Sequence, residues 1–227
     1  MSIEAVDIVP CTQALADPGW KFARATVPRL EGQVLVLTDE QGHQGLGYAH
    51  AIPAITTHGA GARSALELLA PRLLRRRADE LAAIVEEVDV QLAFHPSVKA
   101  AIDMALHDLL ARRLGVPVNV LLGGGLRRRV PQSRILAIKP PAEMAAKALE
   151  LAEQGYRTLK LKLAGDSALD LARVAAVRAA VGPTLTLTLD PNQSYGAKQL
   201  LAAWSRLERH DIALIEQPVP AADWAGL

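Results

Sequence analysis

Hydrophobic positions follow two different periodicities in the first half of the 227-residue chain. Residues 3–9 and 32–39 are predicted strands, and the glycines after the second strand indicate a hairpin turn toward residues 46–49. From His58 to Gly115, apolar residues recur at intervals of three and four, which predicts three helices. This half is therefore expected to form an antiparallel sheet followed by helices.

A regular alternation of short apolar runs and helical patterns begins near residue 133. The predicted strands cover 133–138, 157–163, 185–190 and 212–217, and the helices between them cover 141–154, 167–181 and 196–209. This βαβαβαβ order requires a parallel sheet. Glycine, arginine and proline cluster at residues 123–132, so we predict two domains, an α+β domain at 1–125 and a second domain at 126–227.

The two faces of the predicted parallel strands differ in polarity. Leucines alternate with Lys160 and Lys162 in RTLKLKL, and leucines alternate with threonines and Asp190 in TLTLTLD. Helices cover both faces of a doubly wound open sheet, so both should be apolar, whereas a barrel with a polar site in its lumen keeps one polar face. The pattern favours the first four strands of a (β/α)8-type barrel.

Composition and charge narrow the class of protein. A net charge of +1 gives no general attraction for nucleic acid or anionic membranes, and the arginine runs at 75–77 and 127–129 are interpreted as solvated surface. The lone cysteine, Cys11, excludes an internal disulfide. The first residues lack the pattern of a secretory signal, and no apolar run approaches the roughly 18 residues of a membrane span. We expect a cytoplasmic globular protein.

Charged side chains stand at or near the ends of three consecutive predicted strands: Lys160 and Lys162, then Asp190, then Glu216. The carboxyl ends of parallel strands meet at one mouth of a barrel, where two carboxylates can converge on a hard cation such as Mg²⁺. Taken separately, Asp190 could begin a turn and Glu216 could cap a helix. The two lysines on the neighbouring strand favour the metal site.

The two lysines suggest a reaction. Lys160 and Lys162 share one strand face about 7 Å apart, so each cation should lower the pKa of the other, and Mg²⁺ would act in the same direction. A lysine of lowered pKa can serve as a base near neutral pH. Mg²⁺ would stabilise the charge that develops when a proton beside a carboxylate is removed. The predicted reaction is proton abstraction α to a carboxylate, through an enediolate.

Four segments of the chain have to be considered together: AAIDMALHDLLARRLGVPVNVLLGG, KLK at 160–162, DPNQS at 190–194 and IEQP at 215–218. Their combination resembles the enolase superfamily in its mandelate racemase and muconate lactonizing enzyme branch. The resemblance extends over nearly the whole chain and implies an N-terminal α+β capping domain above a barrel. Sites of this superfamily use a lysine or histidine base with Mg²⁺.

The resemblance also implies roles for individual residues. Lys162 would be the acid/base, Lys160 its electrostatic partner, Asp190 and Glu216 the metal ligands, and Asn192 a support for the metal site. The third metal carboxylate and the opposing acid/base would lie on later strands, beyond Leu227. We therefore expect the chain to be part of a longer protein, or a truncated product, whose metal site is incomplete on its own.

Two loops are candidates for closing over a substrate. The stretch from Ala14 to Leu30 is long for a connection, which indicates either a functional flap or a long surface loop. Candidate substrate contacts are Trp20, Lys21, Phe22 and His50, although the first interpretation of His50 is an ordinary polar residue. The resemblance assigns lid roles to this stretch and to residues 50–58.

The favoured function is a Mg²⁺-dependent racemase or epimerase. Its substrate would be a small carboxylate such as a dipeptide, an N-acyl amino acid or a hydroxy acid. The alternatives are a muconate-type cycloisomerase, a sugar-acid dehydratase, and a catalytically incomplete fragment that acts as a folding or interaction module. The full-length protein is expected to be a homo-oligomer.

Overall fold

The computed structural model of the protein describes residues 2–17 and 19–227. The strands are β1 (Ile3–Ala14), β2 (Lys21–Phe22), β3 (Ala25–Thr26), β4 (Arg29–Asp39), β5 (Gln44–Ala51), β6 (Ser133–Leu136), β7 (Thr158–Lys162), β8 (Thr186–Asp190) and β9 (Ile212–Ile215). The helices are α1 (Gly59–Leu73), α2 (Leu81–Gln91), α3 (Pro96–Leu114), α4 (Val118–Leu121), α5 (Pro141–Glu153), α6 (Ser167–Val181) and α7 (Ala197–Leu207), and a 3₁₀ turn spans Glu208–His210.

The chain divides into two compact units. The first comprises Met1–Ala16 with Arg29–Arg128, and the second comprises Asp17–Pro28 with Arg129–Leu227. The sequence-based division after residue 125 assigned the segment 17–28 to the N-terminal domain, whereas here it groups with the second unit. The middle of the candidate flap, residues 17–28, thus belongs to the same compact unit as the parallel strands.

The first unit contains a three-stranded antiparallel sheet in the order β1-β4-β5. The predicted hairpin is confirmed by the pairing of β4 with β5. Strand β1 is longer than predicted and continues to Ala14, because β4 offers backbone partners along its whole length, as far as the pair of Ala14 with Arg29. Leucines 35 and 37 of β4 point into the core formed with α1, α2 and α3.

Helix α3 packs unusually close to the sheet because β5 carries glycines where it faces the helix. A Cβ atom on Gly47 would lie 1.8 Å from Ala101 O, and one on Gly45 would lie 2.2 Å from Ala105 O. The helix ends as predicted at Gly115, which adopts a left-handed conformation. Among residues 2–17 and 19–227, no helix is both long enough and apolar enough to cross a membrane.

The second unit contains a parallel sheet in the sequential order β6-β7-β8-β9. A doubly wound sheet reverses its strand order at a switch point, whereas a barrel adds each strand beside the previous one. The order therefore confirms the prediction of four successive strands of a barrel-type domain. The core on the helix-covered face includes leucines of β7 and β8 and apolar residues of the helices: Leu159, Leu161, Leu187, Leu189, Met144, Ala148, Val174, Val177, Ala203 and Leu207.

Candidate active site

The parallel register brings the predicted charged residues to one edge of the sheet. Lys162, the last residue of β7, pairs with Asp190, the last residue of β8. Glu216 directly follows β9, and its backbone N–H donates to Leu189 O at 2.8 Å, which holds it beside the end of β8. The charged positions that the sequence placed at successive strand ends are therefore neighbours in space.

Four side chains form a connected charge cluster. Lys162 Nζ lies 2.5 Å from Asp190 Oδ2, and Lys160 Nζ lies 2.9 Å from the same oxygen. Lys160 Nζ also donates to Glu216 Oε2 at 2.6 Å. The Asp190 side chain is only 1% exposed, whereas that of Glu216 is 53% exposed. Because a buried charge is costly unless it is paired, the lysines compensate the buried carboxylate of Asp190.

The pKa of Lys160 departs from the expectation that the two lysines would lower each other's pKa. Partial burial lowers the pKa of Lys160, but hydrogen bonds to Glu216 and Asp190 outweigh burial and place it above the ordinary value. The prediction was wrong for Lys160 because it counted the neighbouring lysine and not the two nearer carboxylates. Burial likewise raises the pKa of Asp190, but the hydrogen bonds from Lys162 and Lys160 hold it below the ordinary value.

The donor set at this edge fits a hard cation. Asp190 and Glu216 supply carboxylate oxygens, and both contact the Lys160 ammonium, so they already converge on one positive charge. The side-chain Oδ1 of Asn192 is buried and has no hydrogen-bond partner within the described part of the chain. No group of three or more histidine, cysteine, aspartate or glutamate side chains suited to a metal occurs within residues 2–17 and 19–227. The described residues thus provide two candidate carboxylate ligands, Asp190 and Glu216.

The loop after β8 is held in an uncommon backbone conformation. Asn192 and Gln193 have φ values of 49° and 67°, in the left-handed region that most residues avoid. The backbone N–H of Asn192 donates to Asp190 Oδ1 at 3.0 Å, so Asp190 does begin a turn, as its simpler interpretation proposed. Its other oxygen, Oδ2, faces the two lysines. The two interpretations of Asp190 therefore apply to different oxygens of one carboxylate.

The segment 17–28 contributes an aromatic neighbour to Lys162. Strands β2 and β3 form a miniature hairpin, in which Phe22 is buried and its ring centroid lies 5.7 Å from Lys162 Nζ. Trp20 packs against Phe22 with ring centroids 5.7 Å apart. The N–H of Ile138 donates to Lys21 O at 2.9 Å, just beyond β6. The structure thus brings Trp20, Lys21 and Phe22 together with the strand ends.

His50 lies in the first unit, near the end of β5. Its ring centroid is 6.3 Å from that of Tyr48, at an interplanar angle of 47°. The role of His50 in substrate binding stays a prediction.

Three residues of the second unit form a buried polar cluster that the sequence interpretation did not single out. Asp170 is completely buried, Arg173 and Tyr195 are nearly so, and all three are linked by hydrogen bonds. A signal was present: Asp170 shares the spacing of Val174 and Val177, which form the buried stripe of α6. A charged residue on such a stripe requires buried partners.

An α+β unit and a barrel-type sheet with charged strand ends are typical of barrel enzymes, which carry their catalytic groups at the carboxyl ends of the strands. The sequence model "Mandelate racemase / muconate lactonizing enzyme, N-terminal domain" matches residues 5–123, and "Enolase C-terminal domain-like" matches residues 143–227. The chain belongs to the mandelate racemase and muconate lactonizing enzyme branch of the enolase superfamily.

Known relatives include dipeptide epimerases. The chain is 35% identical to the hydrophobic dipeptide epimerase of Enterococcus faecalis over 209 residues, covering 91% of this chain and 58% of the relative. It is also 35% identical to the L-Ala-D/L-Glu epimerase of Bacillus subtilis over 213 residues, covering 92% and 58%. The chain thus spans 58% of the length of both relatives.

The fold is also closely similar to that of a solved structure. The crystal structure of the dipeptide epimerase from Enterococcus faecalis V583, complexed with Mg and the dipeptide L-Leu-L-Tyr, superposes with a TM-score of 0.95 at 33% identity. The match covers all of this chain and 64% of that structure.

Proposed function

We propose that the protein carrying this chain is a Mg²⁺-dependent epimerase that removes and returns the proton α to the carboxylate of a dipeptide. The observation that supports it best is the charge cluster, in which Lys162 contacts Asp190 and Lys160 lies between Asp190 and Glu216. The relatives that are dipeptide epimerases support the choice of substrate class over a hydroxy acid or a sugar acid.

Asp190 and Glu216 would hold the cation, since they offer the hard oxygen ligands that Mg²⁺ prefers. When bound, Mg²⁺ supplies positive charge that stabilises the enediolate form of the substrate's carboxylate. Lys160 lies within hydrogen-bonding distance of both carboxylates, so its ammonium adds a second positive charge at the same place. Asn192 supports the site by fixing the turn that orients Asp190.

Lys162 is the proposed acid/base. As a neutral amine, its Nζ accepts the α-proton of the substrate, and as an ammonium it returns a proton to the same face. Its position at the end of β7 is beside Asp190, one of the two carboxylates proposed to hold the cation. Inversion of the α carbon also requires a proton donor on the opposite face, for which the later strands of a complete barrel are the proposed source.

The segment 17–28 is proposed to cover the reacting groups. The buried ring of Phe22 keeps water from one side of Lys162 Nζ. Trp20 and the exposed Lys21 lie on the same hairpin, where they can contact the substrate. Exclusion of water strengthens the electrostatic interactions on which proton abstraction depends.

The test is α-proton exchange. The protein is incubated in D₂O with Mg²⁺ and dipeptides whose C-terminal residues are apolar, acidic or basic, and deuterium incorporation and epimer ratio are followed by NMR. We expect exchange with inversion for one class of dipeptide, its loss on chelation of the metal, and its recovery when Mg²⁺ is added back. Consumption of a conjugated diacid without exchange in any dipeptide would instead identify a cycloisomerase. Absence of both reactions and of Mg²⁺ binding would identify a non-catalytic module.

A further inference from the structure

The carboxylate of Asp170, in the first turn of α6, is 0% exposed and is surrounded by hydrogen-bond donors. Both of its oxygens accept from Ala164 N at 3.1 Å, and Oδ2 also accepts from Gly165 N at 2.9 Å. Ala164 and Gly165 belong to the loop that directly follows Lys162 at the end of β7. The buried carboxylate therefore fixes the backbone immediately after the proposed acid/base.

Arg173 extends this arrangement to the loop after β6. Its Nη1 donates to Asp170 Oδ1 at 2.7 Å, and its Nε donates to the backbone oxygen of Lys139 at 2.9 Å. The side chain of Lys139 in turn forms an ion pair with Asp17 at 3.1 Å, in the segment that carries Phe22. Arg173 thus connects the carboxylate to the base of the candidate flap.

Tyr195 extends it to the loops after β8 and β9. Its hydroxyl donates to Asp170 Oδ2 at 2.9 Å. Burial and the negative charge of Asp170 raise the pKa of Tyr195, so the hydroxyl keeps the proton that it donates. The backbone N–H of Tyr195 donates to Pro218 O at 3.0 Å, in the segment that follows Glu216.

The loops after β7 and β8 are also pressed directly together at Gly165. Its φ is +85°, and a Cβ atom at this position would lie 2.4 Å from the backbone oxygen of Ser194. The loop after β7 can approach this closely only because residue 165 is glycine. A displacement of one loop is therefore transmitted to the other.

Stability alone is a weak reason to bury these charges. An apolar set of similar volume is often as stable as a buried ion pair, or more stable. A carboxylate that accepts hydrogen bonds from three directions fixes the position of each loop that it contacts. An apolar residue cannot do this, because its contacts are not directional. The four loops joined in this way follow the four strands whose ends form the candidate site.

We propose that Asp170, with Arg173 and Tyr195, is a positioning cluster that fixes the strand ends bearing Lys162, Asp190 and Glu216. The inference rests on the proposed function, because the geometry that it preserves is that of proton transfer from the α carbon to Lys162. A misplacement of about 1 Å can reduce a rate about 100-fold, so the position of these loops determines kcat through the position of Lys162.

Tyr195→Phe tests the proposal with the least disturbance, since it removes one hydroxyl from an otherwise unchanged ring; Asp170→Asn is the stronger variant. Two quantities are measured on the full protein. The first is kcat with α-protio and α-deuterio dipeptide, and the second is amide hydrogen exchange of the peptide containing Ala164 and Gly165. We expect kcat to fall about tenfold, the isotope effect to rise, and protection of both amides to decrease.

The isotope effect separates positioning from simple loss of folded protein. A smaller folded fraction lowers kcat but leaves the ratio of the two rates unchanged, whereas a misplaced Lys162 slows proton transfer itself. Arg178→Gln is the matched control. Arg178 lies near the other end of α6 and donates to four backbone oxygens there, those of Gly182, Leu185, His210 and Asp211. The Arg178→Gln variant should have a lower free energy of unfolding and an unchanged isotope effect on kcat.

Two results would overturn the positioning role. One is an active protein in which Tyr195→Phe leaves kcat and amide protection unchanged. The other is a decrease in kcat that matches the loss of folded protein in both the variant and the control. If the unmodified protein exchanges no α-proton, the proposed function fails, and amide exchange still decides whether the cluster holds the loop.

Discussion

The ammonium of Lys162 lies 5.7 Å from the centre of the Phe22 ring, which belongs to a two-strand hairpin near the start of the chain. An aromatic face attracts a cation, and the attraction strengthens where water is excluded. The hairpin therefore contributes to the environment of the proposed acid/base as well as to its cover.

Phe22→Leu should slow α-proton exchange and have only a small effect on the free energy of unfolding. Leucine keeps much of the apolar cover but lacks the aromatic face, whose attraction for a desolvated cation is about 1–2 kcal/mol. We expect α-proton exchange to slow about five- to thirtyfold, since each 1.4 kcal/mol of barrier is about tenfold in rate. The control is Phe94→Leu, a change at an exposed position of the first unit. Equal exchange rates for Phe22→Leu and the unmodified protein would contradict the prediction.

Lys162→Met should abolish proton exchange while leaving the fold intact. Loss of a general base typically costs about 10²–10⁴ in rate. Asp190 keeps its second partner, Lys160, at 2.9 Å, so its charge is not left unpaired. The measurement is deuterium incorporation into the dipeptide, with circular dichroism to verify folding. A variant that retains a tenth of the normal exchange rate would remove Lys162 from its proposed role.

Glu216→Gln should weaken Mg²⁺ binding with little change in stability. The Glu216 side chain is half exposed, so its substitution should alter the free energy of unfolding by no more than about 0.5 kcal/mol. Loss of a ligand should raise the Kd for Mg²⁺ by about tenfold or more, since mutation of a residue that only hydrogen-bonds to a metal ligand already weakens binding by about that factor. Titration calorimetry with Mg²⁺ measures this, and Glu208→Gln, at the 3₁₀ turn, is the control. Unchanged affinity would exclude Glu216 as a ligand.

The pH dependence of stability in the first unit should depend on Asp39. Burial raises the pKa of this carboxyl, but the Arg113 guanidinium at 2.8 Å, His43 and backbone N–H groups outweigh burial and lower the pKa from 3.8 to about 2. A lowered pKa stabilises the folded state above the unfolded-state value, and this stabilisation is lost as the pH falls toward 2. Asp39→Asn removes the titrating group.

The difference in unfolding free energy between the unmodified protein and Asp39→Asn should therefore shrink by about 2 kcal/mol from pH 5 to pH 2. Urea unfolding at several pH values measures it. Asp7→Asn, at an exposed position of β1, is the matched control. A difference that stays constant with pH would show that Asp39 titrates normally.

Gly165→Ala should destabilise the protein more than Gly155→Ala. Both glycines have positive φ, so both substitutions incur a backbone cost of about 1 kcal/mol or more. Only at residue 165 does the added methyl collide with backbone, whereas nothing lies within 4 Å at residue 155. The comparison by urea unfolding isolates the clash with Ser194. Equal decreases in the free energy of unfolding for the two variants would show that the loop containing Ser194 moves aside without a free-energy cost.

Much of the second unit was predictable because its information is local. Alternation with a period of two marks strand faces, and the charged residues at the ends of β7 and β8 needed only the parallel order to become neighbours. Asp190 and Glu216 could thus be paired without knowledge of any distance. The strand order followed from the right-handed, sequential connection of βα repeats.

The remaining features depend on contacts between distant parts of the chain. The grouping of residues 17–28 with the parallel sheet depends on the Lys139 ion pair with Asp17 and on the bond from Ile138 to Lys21, neither of which has a local signature. The pKa of Lys160 depends on Glu216, which belongs to another strand. Contacts between residues far apart in sequence therefore determine these two features, which the spacing of residues along the chain does not reveal.

The position of Lys160 between Asp190 and Glu216 has a consequence for how the proposed Mg²⁺ would bind. The ammonium already neutralises the acidic pair, so the folded sheet does not require a divalent ion to hold these carboxylates near each other. Binding of the proposed Mg²⁺ would then be an exchange of cations, in which the incoming ion competes with the Lys160 ammonium for the two carboxylates. Such a site would be emptied and refilled without unfolding the protein.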